Sequence, residues 1–343
     1  MTDTVAGVRT AREILAWSRD RVDPALRSAI AHLPESMRPA VTYHFGWTDE
    51  KGAPATAGGG KAVRPALVLL SARAVGAPEP ALPGAVAVEL VHNFSLLHDD
   101  VMDGDETRRH RPTVWKLFGP AVAILAGDSL LAGASGVLAR SGHPATREAL
   151  EILIAAVQDL IEGQGADVAF ERRDDVGLPE CRAMAAGKTG ALLGCSCALG
   201  ALLGGGSSEQ VAHLRHFGEA LGLAFQLADD LLGIWGDPAV TGKPVFSDLR
   251  NRKKSLPVVA ALTSGTTAGR ELAELYAAPG EPAGADLVRA ARLVDQAGGR
   301  AWSRTEAAAL LDRARTHLRA AVPDARAAAE LETLAVLLAD RDR

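Results

Sequence analysis

Between Thr189 and Ser208 the chain reads TGALLGCSCALGALLGGGSS, a stretch without a single charge. A helix that is apolar on every side needs protein or lipid around its whole circumference. The stretch therefore admits two folds: a helix at the centre of a large core, or a membrane span, for which it is long enough. Abundant glycine and serine, a Gly-Gly-Gly end and the lack of an aromatic belt or a basic flank beyond Lys188 favour the core helix. The chain is 48% hydrophobic but only 4% aromatic, so that core must be built mainly from Ala, Leu and Val, which suits closely packed helices. With no β-alternation of useful length and no internal repeat, the expectation is all-α. No linker divides the 343 residues, and a single domain over 1–343 is expected.

The chemistry concentrates where two apolar helical runs end. The first, ELVHNFSLLHDDVMDGDETRRHRPT, brings Asp99, Asp100 and Asp103 together in a DDxxD cluster followed by Arg108, Arg109 and Arg111. On a helix Asp99 and Asp103 are i,i+4 neighbours, so both carboxylates leave one face. Two bare carboxylates there repel unless a cation joins them. The second run, FQLADDLL, ends in Asp229 and Asp230 and is followed by Lys243, Arg250, Arg252, Lys253 and Lys254. Hard oxygen ligands without Cys or metal-spaced His favour Mg²⁺ over Zn²⁺. Magnesium commonly bridges one or two carboxylates to substrate phosphates, which flanking cations then clamp. The reading is a diphosphate site served by two aspartate-bearing helices.

Taken in order, apolar spacing predicts a helix from Thr10 to about Leu33 with Pro24 as a break. Residues 46–60 form a loop by composition, opening onto Lys61 and Arg64 at a helix start where glycines let backbone approach an anion. A helix from Ala81 to Leu97 enters the first cluster; His92, two turns before Asp99, aligns with the metal face and favours a substrate contact over a satisfied core histidine. Asp128 interrupts an apolar helix and needs a partner if buried. Helices are expected over Ala149–Phe170, with Gln164 and Asp167 near its end, and over Val211–Ile234; Lys188 precedes the uncharged helix. Residues from about 258 onward give amphipathic helices only. Three clustered cysteines, Cys181, Cys195 and Cys197, read as small buried hydrophobes in a reducing cytoplasm, and the charged N-terminus has no signal-peptide core. A net charge of −5 gives no reason to expect nucleic acid.

In this order GGGKAVRP, LLHDDVMDGDETRR, GKTG, FQLADDLLG, GKP and RKKSLP resemble the trans-isoprenyl diphosphate synthase family, the polyprenyl synthetases, over residues 58–257. The resemblance implies an all-α helical bundle around a central active-site cavity, commonly a homodimer, acting on isopentenyl diphosphate and an allylic diphosphate with Mg²⁺, three ions when substrate is bound. By position it implies that Lys61, Arg64, His92 and Arg109 hold isopentenyl diphosphate. Asp99, Asp103 and Asp229 would bind metal, with Asp100 and Asp230 supporting. Arg108, Lys188, Thr189, Gln226, Lys243 and Lys253 would contact the allylic diphosphate, and Gln164 and Asp167 would stand beside the metals. Two positions depart from the pattern: Gly233 stands where a third aspartate is usual, and Phe246 where a glycine is usual.

The implied reaction ionises the allylic diphosphate, shields the carbocation from water and lets isopentenyl diphosphate attack head to tail. Phe94 and the small Ser95, one to two turns before the DDxxD cluster, are expected to set product length, with C20 ahead of C15 and C10. A phosphohydrolase of the HD type lacks the further histidines it needs. A terpene cyclase would want an Asn/Ser/Glu metal motif where Asp229 and Asp230 stand. A non-catalytic partner subunit is the remaining alternative, and the retained DDxxD, arginines and Lys243 argue against it.

Overall fold

The structure is a computed structural model and describes residues 7–55, 60, 62–237 and 245–339. Almost every described element is a helix, as expected. The chain groups into two compact units, one comprising Met1–Ala155, Cys195–Arg215 and Leu318–Thr333, the other Ala156–Gly194, His216–His317 and Leu334–Arg343.

In the first unit α1 (Ala11–Ala31) opens with a capping box in which Thr10 accepts from the Glu13 backbone and Glu13 reaches back to the Thr10 N–H. Pro24 was expected to break this helix, and it does not. The stripe Ile14, Leu15, Val22, Leu26 and Ile30 is buried on both sides of the proline, and that burial outweighs one lost hydrogen bond. After α2 (Arg38–His44) and α3 (Val63–Val75) comes α4 (Leu82–Met102), whose apolar length packs against α3 and against α6 (Pro120–Ala139). Between them lie a two-residue hairpin, β1 (Thr107–Arg108) with β2 (Arg111–Pro112), and the short α5 (Val114–Phe118).

The uncharged stretch is a core helix, α9 (Ala191–Leu203), in which Cys195, Cys197, Ala198, Leu199 and Ala201 are all buried. Its glycines bring backbones together: a Cβ on Gly204 would stand 2.7 Å from the Ala72 backbone of α3. Helix α6 behaves differently. It is long and apolar enough to cross a membrane, yet only 33% of it is buried, and Ile124 and Leu125 are exposed. Asp128, expected to need a buried partner, is 58% exposed with His98 at 3.7 Å; the apolar face it interrupts points outward.

In the second unit α7 (Thr146–Phe170) continues, followed by α8 (Leu178–Ala185) and a π-helical turn over Ala186–Gly190. The main chains touch here. A Cβ on Gly163 of α7 would run into the Lys188 backbone nitrogen, and one on Gly222 of α10 (Ser208–Trp235) would lie 2.7 Å from the Gly190 Cα. Then come α11 (Ser247–Arg250), α12 (Leu256–Leu262), α13 (Thr267–Ala277), α14 (Gly284–Gln296) and α15 (Gly299–Ala320). Ile234, Leu249, Val258, Leu272, Leu287 and Val294 form their common core. The last helix, α16 (Ala325–Ala339), has residues in both units.

Candidate active site

Helix α4 delivers its acids in two directions. Asp99 is half-buried on the last turn and Asp103 is the exposed C-cap, its N–H donating to the Asp99 carbonyl at 2.8 Å. Asp100 turns inward, 1% exposed. Its Oδ1 accepts from Nε of Arg108 at 2.7 Å, and Nη2 of the same guanidinium forms an ion pair with it at 2.7 Å. Burial pushes the Asp100 carboxyl up to about 6 while Arg108 pulls it back, and its buried Oδ2 has no partner among the described residues.

The hairpin that carries Arg108 has no glycine or asparagine at its turn. Arg109 and His110 both adopt positive φ, 52° and 61°, the geometry of a tight two-residue hairpin, at a conformational cost that surrounding contacts must offset. This places Arg109 beside Gly60: a Cβ on Gly60 would be 2.7 Å from the Arg109 guanidinium. Arg64 and Arg109 stand within electrostatic reach of His92, and Lys61 lies outside the described residues.

Three further residues complete the cluster. His44 of α2 meets Asn93 Oδ1 at 3.1 Å, and the Asn93 amide donates to the Glu89 carbonyl and carboxylate at 2.8 and 3.2 Å. Burial, with Arg109 and Arg108 adding to it, holds the His44 imidazole down to about 3. His92 is likewise held well below its ordinary value by burial and by Arg64 and Arg109. Burial lowers Arg64 to about 10 against the opposing pull of buried Glu89, whose own value burial raises. Both imidazoles are thus neutral beside permanent cations. A small cavity of about 40 Å³ lined by Tyr43, His44, Asp100, Arg108, Arg109 and Arg111 opens here. Such a surface favours an anion. Phe94 is buried, its ring edge-on to His98 at 4.8 Å, and Ser95 turns its hydroxyl back to the His92 carbonyl.

The second unit repeats the theme on α10. Asp229 is exposed and Asp230 is 3% exposed. Asp230 accepts from Gln226 Nε2 at 2.7 Å and from the Leu256 N–H at 2.9 Å, and Gln226 Oε1 accepts from Thr189 at 2.6 Å. One chain of hydrogen bonds thus links the π turn, α10 and the start of α12. Burial raises Asp230 to about 7, with Lys253 pulling it down. Burial would lower the Lys253 ammonium, but Asp230, Asp248, Asp167 and Asp229 outweigh it and keep the group charged. Lys188 pairs with Asp167 at 2.5 Å, and both amide atoms of buried Gln164 lack a partner among the described residues. The π turn re-aims Lys188 and Thr189, a common device at functional sites. Lys243 lies outside the described residues. Phe246, which replaces the usual glycine, sits at φ 65°, the region glycine favours, and packs on the core beside Ile234 and Leu249. A larger cavity of about 720 Å³ in this unit, lined by residues including Asp159, Phe170, Met184, His216 and His317, contains none of the predicted site residues.

Among the described residues no three His, Cys, Asp or Glu side chains converge to cage an ion alone. What they offer is aspartate carboxylates in each unit, together with buried polar atoms that have no hydrogen-bond partner among the described residues, on Asp100 in one and Gln164 in the other. That donor set fits Mg²⁺, which takes few protein ligands and retains waters.

The polyprenyl synthetase pattern matches residues 47–292, and the chain belongs to that family, the trans-isoprenyl diphosphate synthases; it is a prenyltransferase making short-chain trans-prenyl diphosphates. It is 49% identical over 340 residues to the (2E,6E)-farnesyl diphosphate synthase of Mycobacterium tuberculosis, covering 96% of this chain and 92% of that one. It is 48% identical over 290 residues to the geranylgeranyl diphosphate synthase of the same species, covering 84% and 83%. The crystal structure of a polyprenyl synthetase from Streptomyces coelicolor superposes with a TM-score of 0.91 at 48% identity, covering 95% and 98%.

Proposed function

We propose that the chain condenses isopentenyl diphosphate with an allylic diphosphate head to tail, with Mg²⁺, giving a C20 product ahead of C15. The observation that carries this reading is the repeated arrangement at the ends of α4 and α10. In each, one aspartate is the more exposed, Asp99 half-buried and Asp229 exposed, and its neighbour is buried and tied to a basic segment. Asp99, Asp103 and Asp229 would hold Mg²⁺, which when bound supplies positive charge against the diphosphate as it departs. Arg108, Lys188 and Lys253 add fixed cations for the allylic diphosphate, with Thr189 and Gln226 positioning it and Lys243 expected to join them. Arg64, Arg109 and neutral His92 hold isopentenyl diphosphate, with Lys61 expected beside them. His92, kept neutral, donates one hydrogen bond without adding charge. The carbocation needs dry surroundings, which apolar helices supply. Phe94 limits the growing chain.

A second copy of the chain would cover the exposed apolar positions Ile124, Leu125 and Ile154; Leu125→Glu is then expected to shift sedimentation from dimer to monomer. Three free buried cysteines accord with a reducing, cytoplasmic setting. The direct test is incubation with Mg²⁺, labelled isopentenyl diphosphate and dimethylallyl, geranyl or farnesyl diphosphate, followed by sizing of products. Incorporation up to C20 is expected, and Phe94→Ala is expected to lengthen the product. No incorporation with any primer refutes the reading.

A further inference from the structure

A buried carboxylate is out of place in a site that holds an anion. Glu89 of α4 is 8% exposed, and the charges of Arg64 and Arg109 act directly on it. On charge alone it would repel a diphosphate, so its presence calls for another task. Arg64 supplies one. Its buried Nε has no hydrogen-bond partner among the described residues, and the charge of Glu89 is what opposes the cost of burying that guanidinium.

The direction of Glu89 is set by hydrogen bonds that begin outside α4. The Asn93 amide nitrogen donates to the Glu89 carbonyl and to its carboxylate, at 2.8 and 3.2 Å. A carbonyl has no proton to give, so the amide is fixed with its nitrogen toward Glu89 and its oxygen toward His44. The 3.1 Å contact of His44 with that oxygen is therefore donated by Nε2–H, and the imidazole is held in one tautomer. The end of α2 that carries His44 is fastened in turn. Arg111 donates to the Tyr43 and Thr48 carbonyls at 3.0 and 2.9 Å and lies over the Tyr43 ring, and the Tyr43 hydroxyl donates to the Pro112 carbonyl at 2.8 Å. The motifs left Arg111 without a role, and this contact gives it one.

We propose that His44 is a positioning residue for isopentenyl diphosphate: anchored by Arg111, it acts through Asn93 to hold Glu89 toward Arg64. The inference rests on the isopentenyl diphosphate site as proposed above. These hydrogen bonds end on none of the residues assigned to the allylic diphosphate, so the loss of His44 is expected to fall on one substrate alone.

The test measures isopentenyl diphosphate binding by titration calorimetry without an allylic substrate, then kcat and the KM of each substrate, alongside thermal unfolding. Wild type is compared with His44→Leu, His44→Gln, Glu89→Gln and Arg64→Gln. His44→Leu, which removes the donor, is expected to weaken isopentenyl diphosphate binding and raise its KM on the order of 10-fold, with kcat and the allylic KM within about twofold of wild type. His44→Gln keeps an N–H for Asn93 and is expected to restore affinity to within about threefold. Glu89→Gln decides by sign: charge alone predicts tighter binding of the anion, whereas loss of orientation predicts binding weaker by about 10-fold. Wild-type binding in His44→Leu, a fall shared by kcat or by both KM values, a folded His44→Gln no better than His44→Leu, or unchanged or tighter binding in Glu89→Gln overturns the inference. If His44→Leu does not fold, Glu89→Gln decides alone. Arg64→Gln separates the two readings: loss of binding there with no effect of His44→Leu and Glu89→Gln overturns only this inference, whereas full binding in Arg64→Gln overturns the isopentenyl diphosphate site itself.

Discussion

The ends of α4 and α10 use the same pair of acids and secure them by different means. At α4 the buried member, Asp100, is held by an arginine side chain from a hairpin strand. At α10 the buried member, Asp230, is held by a main-chain N–H at the start of α12, by Gln226, and by the field of Lys253. The first arrangement joins an acid to a side chain that reaches partly into solvent, Arg108 being 28% exposed. The second joins it to the backbone of the next helix. Removing a side-chain partner leaves groups that water can reach, whereas removing an acid that caps a helix start leaves a buried main-chain N–H without an acceptor. The difference predicts that the outward aspartates behave alike and the inward ones do not.

The largest effects, and those that would break the likeness, belong to the outward pair. Asp99→Ala and Asp229→Ala are each expected to reduce turnover on the order of 10³-fold, measured by steady-state kinetics with saturating Mg²⁺. A loss at one site only would show that the two ends do not share a task. Next come the inward acids. Asp230→Ala is expected to cost about 2–3 kcal/mol in denaturant unfolding because the Leu256 N–H and the Gln226 amide lose their acceptor and Lys253 loses one of its four surrounding carboxylates. Asp100→Ala is expected to cost about 1–2 kcal/mol, since Arg108 remains solvated. Equal losses would abolish the distinction.

Acid sensitivity sharpens the contrast from the α4 side. His44 is neutral in the fold down to a value of about 3, against an ordinary 6.5. Between those values the unfolded chain binds a proton that the native chain refuses. Stability is therefore fully present above pH 6.5 and is lost as pH falls toward 3. His44→Gln, which retains an amide for Asn93, is expected to remove about 1–2 kcal/mol of that loss at pH 5, read from urea unfolding across pH. The smallest effect belongs to the α10 side. Phe246→Gly relieves a positive φ and forfeits packing, so a net change of less than about 1 kcal/mol is expected.

Most of the helices are visible in the sequence because their apolar spacing extends over many turns, and the ends of α7 and α10 fall within three residues of the reading. The acids and arginines are legible because chemistry needs them close together in the chain. The residues that escaped notice act across long separations or without side-chain signals. His44 lies in a seven-residue helix with no motif around it. The hairpin turn at Arg109 and His110 lacks the glycine or asparagine that announces such turns, and the π turn is set by backbone contact at Gly163. Pro24 misled because a local rule was overruled by burial along α1, and Asp128 because an apolar helix was assumed to face inward.

The contacts at Gly163 and Gly222 carry a practical consequence. Where main chains already touch, a wall can neither recede for a bulkier guest nor advance on a thinner one, because there are no side chains to trim. Larger side chains at those crossings of α7, α8 and α10 will therefore cost packing before they reshape any cavity. On the reading proposed above, the adjustable surface is instead along α4, where Phe94 would limit the growing chain.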